Sequence, residues 1–148
     1  MNLALALGGA GKNTLNQILP RLLVSNITPL YINTSGKLLK AIVDKNRLII
    51  DTNDISLSRS YFTSNIKSEL AQIFVNVKSC FIVCGLGGKR DNAIPALLHF
   101  SQRSGAFLNL IIYSPLSFER DRILISEVQL RDIAPLLPNL AGYKKIAM

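Results

Sequence analysis

Short apolar runs alternate along the chain with longer segments in which apolar residues recur at helical spacing. The runs cover residues 3–7, 30–32, 81–84 and 107–113, and a fifth run at 48–50 predicts a short edge strand. Strands that alternate with helices in this way are typical of βαβ units over a parallel sheet. The pattern predicts an α/β fold with three layers, in which a mostly parallel sheet lies between helices on both faces.

Four helices fit the longer segments, because apolar positions recur there every three or four residues. Pro20 should kink the first helix or restart it, and Gly105 is a stop signal for the third. The predicted helices cover residues 13–24, 64–74, 92–103 and about 118–133. Rossmann-like folds of this type bind ligands beyond the carboxyl ends of their strands, so glycine and polar residues there are the candidates for a site.

Length and composition fit one domain over residues 1–148. Of the 148 residues, 49% are hydrophobic and 18% are charged, enough for one core without disulfide or metal staples. Collagen-like, disordered and disulfide-scaffold proteins are excluded. No apolar run reaches the roughly 18 residues of a membrane span, and the first residues do not fit a secretory signal, so we expect a cytoplasmic protein.

Cysteine and histidine usage gives no sign of a metal centre. Cys80 and Cys84 fall in one predicted strand, four positions apart, which is too far for a disulfide. His99 is the single histidine, so a zinc site is not expected and both cysteines should be core residues.

The net charge of +8 comes from 17 Lys and Arg residues against 9 Asp and Glu residues. These basic residues are scattered, and they lack the clusters and interleaved aromatic residues of a nucleic-acid groove. The charge therefore favours phosphates or an acidic protein partner over nucleic acid.

A glycine-rich stretch follows the first predicted strand and opens the first helix. Glycines let the backbone approach a phosphate, and the N–H groups and dipole at a helix N-terminus favour its charge. Lys12 adds a cation. The residues predicted to bind nucleotide here are Gly8, Gly9, Ala10, Gly11, Lys12 and Asn13.

A second stretch of the same kind follows the third long apolar run and would bring further N–H groups and two cations to the same edge of the sheet. Two such loops suit a di- or triphosphate better than either loop alone. The predicted binding residues of this stretch are Gly85, Leu86, Gly87, Gly88, Lys89 and Arg90.

The first stretch departs from the Walker A pattern at both ends. Ala6 occupies the first glycine position, and Asn13 follows Lys12 where the pattern has Ser or Thr, the usual magnesium ligand. The variant loop of ParA-like ATPases is closer, with Asp51 after a Walker B-like run. A ParA-like P-loop ATPase is therefore one alternative.

Taken in chain order, four motifs resemble the GTPase domain of the FtsZ and tubulin superfamily, FtsZ more than tubulin. Residues 8–16 are similar to the first glycine loop with its Asn-x-x-Asn, and residues 32–34 to the Ile-Asn-Thr-Asp that ends the second strand. Residues 84–95 resemble the tubulin signature loop and the helix start after it, and residues 114–119 the Pro-Phe-x-Phe-Glu segment. The resemblance implies a tubulin/FtsZ N-terminal type of domain that binds GTP or GDP, with or without Mg²⁺, with Glu119 on the ribose and Arg122 near the nucleotide.

This sequence also departs from that family. The signature loop is one residue shorter, and Lys89 and Arg90 replace glycine and threonine residues that wrap the phosphates. The Asn and central helix that hold guanine in the family are not found after Leu136. The resemblance further implies that hydrolysis needs acidic residues from a neighbouring subunit, and the sequence shows neither those residues nor the C-terminal activation domain.

We therefore expect a GTP-binding protein that is not self-sufficient for hydrolysis, a GTPase at most, with no catalytic residue of its own assigned. It would act with an FtsZ- or tubulin-like protein, a filament or a second copy of itself, in the cytoskeletal and cell-division setting of the family. The second alternative is an interaction module, a pseudo-GTPase that keeps the fold but binds no nucleotide.

Overall fold

A computed structural model describes residues 2–33, 48–51, 71–86, 98, 103–115 and 119–147. Within these ranges helix α1 (Gly8–Val24) joins the first two strands, and helix α2 (Arg120–Ile133) with a following 3₁₀ helix (Ala134–Asn139) precedes the last strand. The six strands are β1 (Asn2–Leu7), β2 (Ile27–Asn33), β3 (Leu48–Asp51), β4 (Ser79–Gly85), β5 (Phe107–Ser114) and β6 (Gly142–Ala147).

The six strands form one sheet in the order β3-β2-β1-β4-β5-β6, and every neighbouring pair is parallel. The predicted α/β fold with a parallel sheet is therefore confirmed. β1 and β4 lie side by side in the middle, with Leu7 paired to Cys84 at their carboxyl ends. The chain passes from β1 to β2 on one side and later returns to β4 on the other, so these two ends flank the switch point where Rossmann-like sheets bind ligands.

Side chains of β1 alternate between two buried layers, because successive residues of a strand point to opposite faces. Leu3, Leu5 and Leu7 belong to the larger core, which includes Ile133 of α2. Ala4 and Ala6 belong to the smaller core, which includes Leu15 and Leu22 of α1. The small alanine side chains allow α1 to pack close to the centre of the sheet.

The described helices agree with the sequence pattern, apart from the start of α1. This helix begins at Gly8, five residues before the predicted start, and continues through Pro20 without restarting. The position of α2 confirms the predicted last helix. Residues 71–74, Leu98 and Arg103 are helical, while most of the second and third predicted helices lies outside the described residues. Gly105 follows Arg103 with a φ of 79°, as expected of a residue that ends a helix.

Strand β6 is not among the strands that the apolar runs predict. Its sequence is Gly-Tyr-Lys-Lys-Ile-Ala, without the apolar run of the other strands. An edge strand has one hydrogen-bonded neighbour and more contact with water, so it tolerates lysine.

The two cysteines form no disulfide and are buried in the larger core, as predicted. Burial raises the pKa of the Cys80 thiol to about 12. Within the described part of the chain, no helix is long and apolar enough to cross a membrane. The same residues contain no cluster of three or more potential metal-binding side chains.

Candidate functional site

The chain turns from β1 into α1 at Gly8, with no residue between the strand and the helix. Gly8 directly follows the strand and has a φ of 74°, a left-handed conformation that favours glycine. Leu7 occupies the N-cap position without a side-chain hydrogen bond, and the first turn has no acidic residue. The first backbone N–H groups of α1 therefore lack a side-chain acceptor at the carboxyl edge of the sheet, an arrangement suited to an anion.

Gly11 allows α1 to lie against the sheet. A Cβ atom at this position would overlap the carbonyl oxygen of Val83 in β4 and lie 3.1 Å from the Cα of Ala6 in β1. A Cβ at Gly85, the last residue of β4, would lie 3.0 Å from the Cβ of Ala10. The start of α1 is therefore pressed against the ends of both central strands, and Gly11 serves packing.

Gly9 has the opposite environment. A Cβ atom there would have no heavy atom within 4 Å, so this position faces open space. Gly9 is thus the glycine of this turn that is partly exposed to a ligand, whereas Gly8 is buried and Gly11 and Gly85 are constrained by the protein itself. The sequence predicted all four as binding residues, and only the structure separates their roles.

The polar residues of the first turns differ in what they contact. Lys12 is half-buried and makes no ion pair with another described residue, and Asn13 is exposed. The hydroxyl of Thr14 donates a 3.0 Å hydrogen bond to the Ala10 carbonyl. Asn16 accepts a 2.9 Å hydrogen bond from the hydroxyl of Tyr31, which is fully buried in β2. Lys12 and Asn13 are therefore the side chains left for a ligand near the helix start.

The second predicted loop is described only at its beginning. Gly85 ends β4, and the backbone N–H of Leu86 donates a 2.9 Å hydrogen bond to the Tyr113 carbonyl of β5. The Leu86 side chain belongs to the larger core. Leu86 thus fixes the end of β4 against β5, and its N–H is already used. Gly87, Gly88, Lys89 and Arg90 lie outside the described residues, so the prediction for them stays open.

The end of β5 brings further polar groups to the same edge. Glu119 is the residue before α2, and its Oε1 accepts a 3.3 Å hydrogen bond from Nη1 of Arg122 in an ion pair. The Arg122 side chain is 62% exposed. Within the described residues, the Oγ atom of Ser114 is buried without a hydrogen-bond partner. Ser114 begins the 114–119 motif but was not predicted as a binding residue, because only the structure shows that its hydroxyl is enclosed.

The structure therefore places the start of α1 and the ends of β4 and β5 at the carboxyl edge of the sheet. Neighbouring strands are about 4.8 Å apart, so the ends of β1 and β5 are about 10 Å from one another. An elongated anion such as a nucleotide has a suitable length for this edge.

No protein-family model matches the chain, and no curated protein is similar to it in sequence. Solved structures do resemble its fold. The TubZ protein of Clostridium botulinum phage c-st, without its C-terminal tail, matches with a TM-score of 0.74 and 15% identity over 95% of this chain and 52% of TubZ. Yeast methylglyoxal/isovaleraldehyde reductase Gre2, in complex with NADPH, matches with a TM-score of 0.57 and 8% identity over 97% of this chain and 56% of Gre2. The TrkA-N domain of the Escherichia coli inner membrane protein YbaL gives a TM-score of 0.52 and 14% identity, over 99% of this chain and 87% of that domain.

At these identities the likeness concerns the fold alone. The fold is Rossmann-like, and a tubulin-type protein is among the solved structures that resemble it. The chain spans about half the length of the TubZ structure.

Proposed function

We propose that this chain is an FtsZ/tubulin-like protein that binds GTP or GDP at the carboxyl edge of its sheet. The observation that carries the proposal is the uncapped start of α1 at Gly8, beside the switch point between β1 and β4. The phosphates lie against the N–H groups at Gly8 and Gly9, with Lys12 as their cation, and Gly87, Gly88, Lys89 and Arg90 are the further phosphate-binding residues of the proposal. Glu119 and Arg122 lie toward the ribose.

The likeness to TubZ supports a tubulin-type nucleotide over other phosphate ligands, together with the four motifs in chain order. Such a protein would act with a filament or with an FtsZ- or tubulin-like partner. Net charge of +8 favours an acidic surface on that partner.

Hydrolysis by the chain alone is negligible in this proposal. Helix α1 contains no carboxylate or histidine, and neither do the described residues at the end of β4. The described carboxylates near the edge are Glu119, which is paired with Arg122, Asp121 in the first turn of α2, and Asp51 at the end of β3, two strands away from β1. No described group is therefore placed to activate water beside the phosphates, and a partner would have to supply it.

The geometry argues against the ParA-like alternative. In a P-loop the glycines form a loop that wraps the phosphates, whereas here the residues from Gly8 onward are already helical. The Thr14 hydroxyl donates to Ala10. Asp51 ends β3, which is separated from β1 by β2.

A dinucleotide is the second candidate, because Gre2 was solved with NADPH. Gly8 and Gly11 have the spacing of the last two glycines in G-x-G-x-x-G, with Ala6 in the first place. The acidic residue that binds the ribose of NAD would stand near the end of β2, where this chain has Asn33. NADPH is therefore included in the test below.

Calorimetric titration of the purified chain with GTP, GDP, ATP and NADPH tests these candidates. We expect saturable binding of the guanine nucleotides, weakened about 10-fold or more in Lys12→Ala, because a hydrogen bond to a charged group is lost. Lys78→Ala is the matched control: it removes the same charge from an exposed residue just before β4, at the opposite edge of the sheet. It should leave affinity unchanged.

Three results would argue against the proposal. If no nucleotide binds at millimolar concentration while circular dichroism shows a folded chain, the nucleotide-free interaction module is supported instead. Preference for NADPH over GTP would favour the dinucleotide candidate. Equal effects of Lys12→Ala and Lys78→Ala would place any binding away from α1.

A further inference from the structure

Strand β6 is one edge of the sheet. It pairs with β5 along one side, and no described residue pairs with its other side. Along a parallel strand, N–H and C=O groups point alternately toward the two sides, so an edge strand presents a row of hydrogen-bonding groups outward. Another extended segment can add to such an edge by backbone hydrogen bonds, and side-chain contacts then decide which segment it is.

Two consecutive lysines mark this edge. Lys144 and Lys145 are both exposed, and neither makes an ion pair with another described residue. Lys144 is paired with Ile111, on the face covered by α1. Lys145 is paired with Ile112, whose side chain belongs to the larger core on the other face. The two charges therefore lie on opposite faces of the same edge.

A second copy of the chain is a poor occupant of this edge. Residues directly opposite each other point to the same face of a sheet, so two β6 strands that pair in antiparallel fashion about Lys144 or Lys145 would place that lysine opposite its own copy. Like charges directly opposite each other destabilise a sheet, and lysine on an edge strand opposes self-association. The net charge of +8 adds to this repulsion.

We propose that β6 binds an extended acidic segment of a partner protein, which adds to the sheet as a seventh strand. Cross-strand neighbours have Cβ atoms about 5 Å apart, so carboxylates opposite Lys144 and Lys145 would pair with them. Because the lysines are consecutive, the acidic residues must be consecutive too, one on each face. Tyr143, 40% exposed, offers an adjacent apolar contact. This inference rests on the β6 edge and does not depend on the proposed nucleotide site.

The test uses the full chain and fluorescein-labelled nine-residue peptides of Thr and Val with two residues varied at the centre. Anisotropy at low salt should show that the Glu-Glu peptide binds about five-fold or more tightly than the Gln-Gln peptide. The difference should shrink at high salt. N-methylation of the Glu-Glu peptide at one set of alternate residues should abolish binding, and methylation of the other set should not, because only one set faces β6.

Charge reversal provides the matched comparison. Lys144→Glu/Lys145→Glu should reverse the preference, so that a Lys-Lys peptide binds best. Lys78→Glu/Arg103→Glu changes the net charge by the same amount at exposed residues elsewhere and should keep the preference for Glu-Glu. The proposal is overturned if no peptide binds, if both methylated peptides bind like the parent, or if the reversed chain, folded by circular dichroism, still prefers Glu-Glu.

Discussion

Replacing Gly11 by alanine tests how α1 is seated on the sheet. The new Cβ would overlap the carbonyl oxygen of Val83, a backbone atom held by the pairing of β4 with β1 and β5. It would also lie 3.1 Å from the Cα of Ala6, again a backbone atom. No side chain can rotate away, so α1 as a whole must move off the sheet.

Two opposing effects set the size of the change. Alanine has a helix propensity about 0.5–1 kcal/mol better than that of glycine. Extra volume in a well-packed contact costs about 1–3 kcal/mol, and more where the neighbour is rigid. We expect a net loss of about 1–2 kcal/mol in the free energy of unfolding, which corresponds to a fall in Tm of about 2–8 °C for a domain of this size.

Gly9→Ala is the control, because it adds the same methyl group two residues earlier with no heavy atom within 4 Å. Thermal and urea unfolding followed by circular dichroism measure both variants. Gly9→Ala should be at least as stable as the wild type, and it should weaken nucleotide binding because its methyl group occupies the proposed site. A Gly11→Ala protein as stable as Gly9→Ala would refute the close seating of α1.

Three further results are expected. Burial raises the pKa of Cys80 to about 12 against a usual 9, so the neutral thiol stabilises the fold fully below pH 9, and this contribution is lost as pH rises toward 12. The urea midpoint of the wild type should therefore fall more steeply between pH 8 and 10.5 than that of Cys80→Ala. Arg122→Ala should change the free energy of unfolding by less than about 0.5 kcal/mol, since its ion pair with Glu119 is largely exposed; a larger loss in urea unfolding would contradict this. Asn16→Ala should cost about 0.5–1.5 kcal/mol by the same assay, because it removes the 2.9 Å hydrogen bond that the Tyr31 hydroxyl donates to Asn16; an unchanged midpoint would contradict this.

Apolar runs were sufficient to predict four long strands and the edge strand β3, because both faces of a central parallel strand are buried and its sequence is then apolar throughout. Strand β6 has no such signal, since Lys144 and Lys145 occupy two of its six positions. β2 extends back past Pro29, which the apolar run did not include. Pro29 is tolerated because β3 pairs with β2 only from Leu30 onward, so this part of β2 has a neighbour on one side only.

The candidate site could be predicted as a segment but not as a set of roles. Glycine spacing identified the turn at residues 8–13, whereas the packing role of Gly11 and the open space at Gly9 follow from how close α1 lies to β4. That distance depends on contacts between segments more than 70 residues apart in sequence. The unpartnered hydroxyl of Ser114 likewise depends on what encloses it in the folded chain.

Backbone amide shifts during a titration with GDP test the central claim most directly, because they report which N–H groups meet the phosphates. The proposal predicts the largest shifts at Gly8, Gly9 and Lys12, and unchanged amides at Asn2 and Ser79, at the opposite edge of the sheet. Saturable binding with its largest shifts elsewhere, and with Gly8 and Gly9 unmoved, would contradict it.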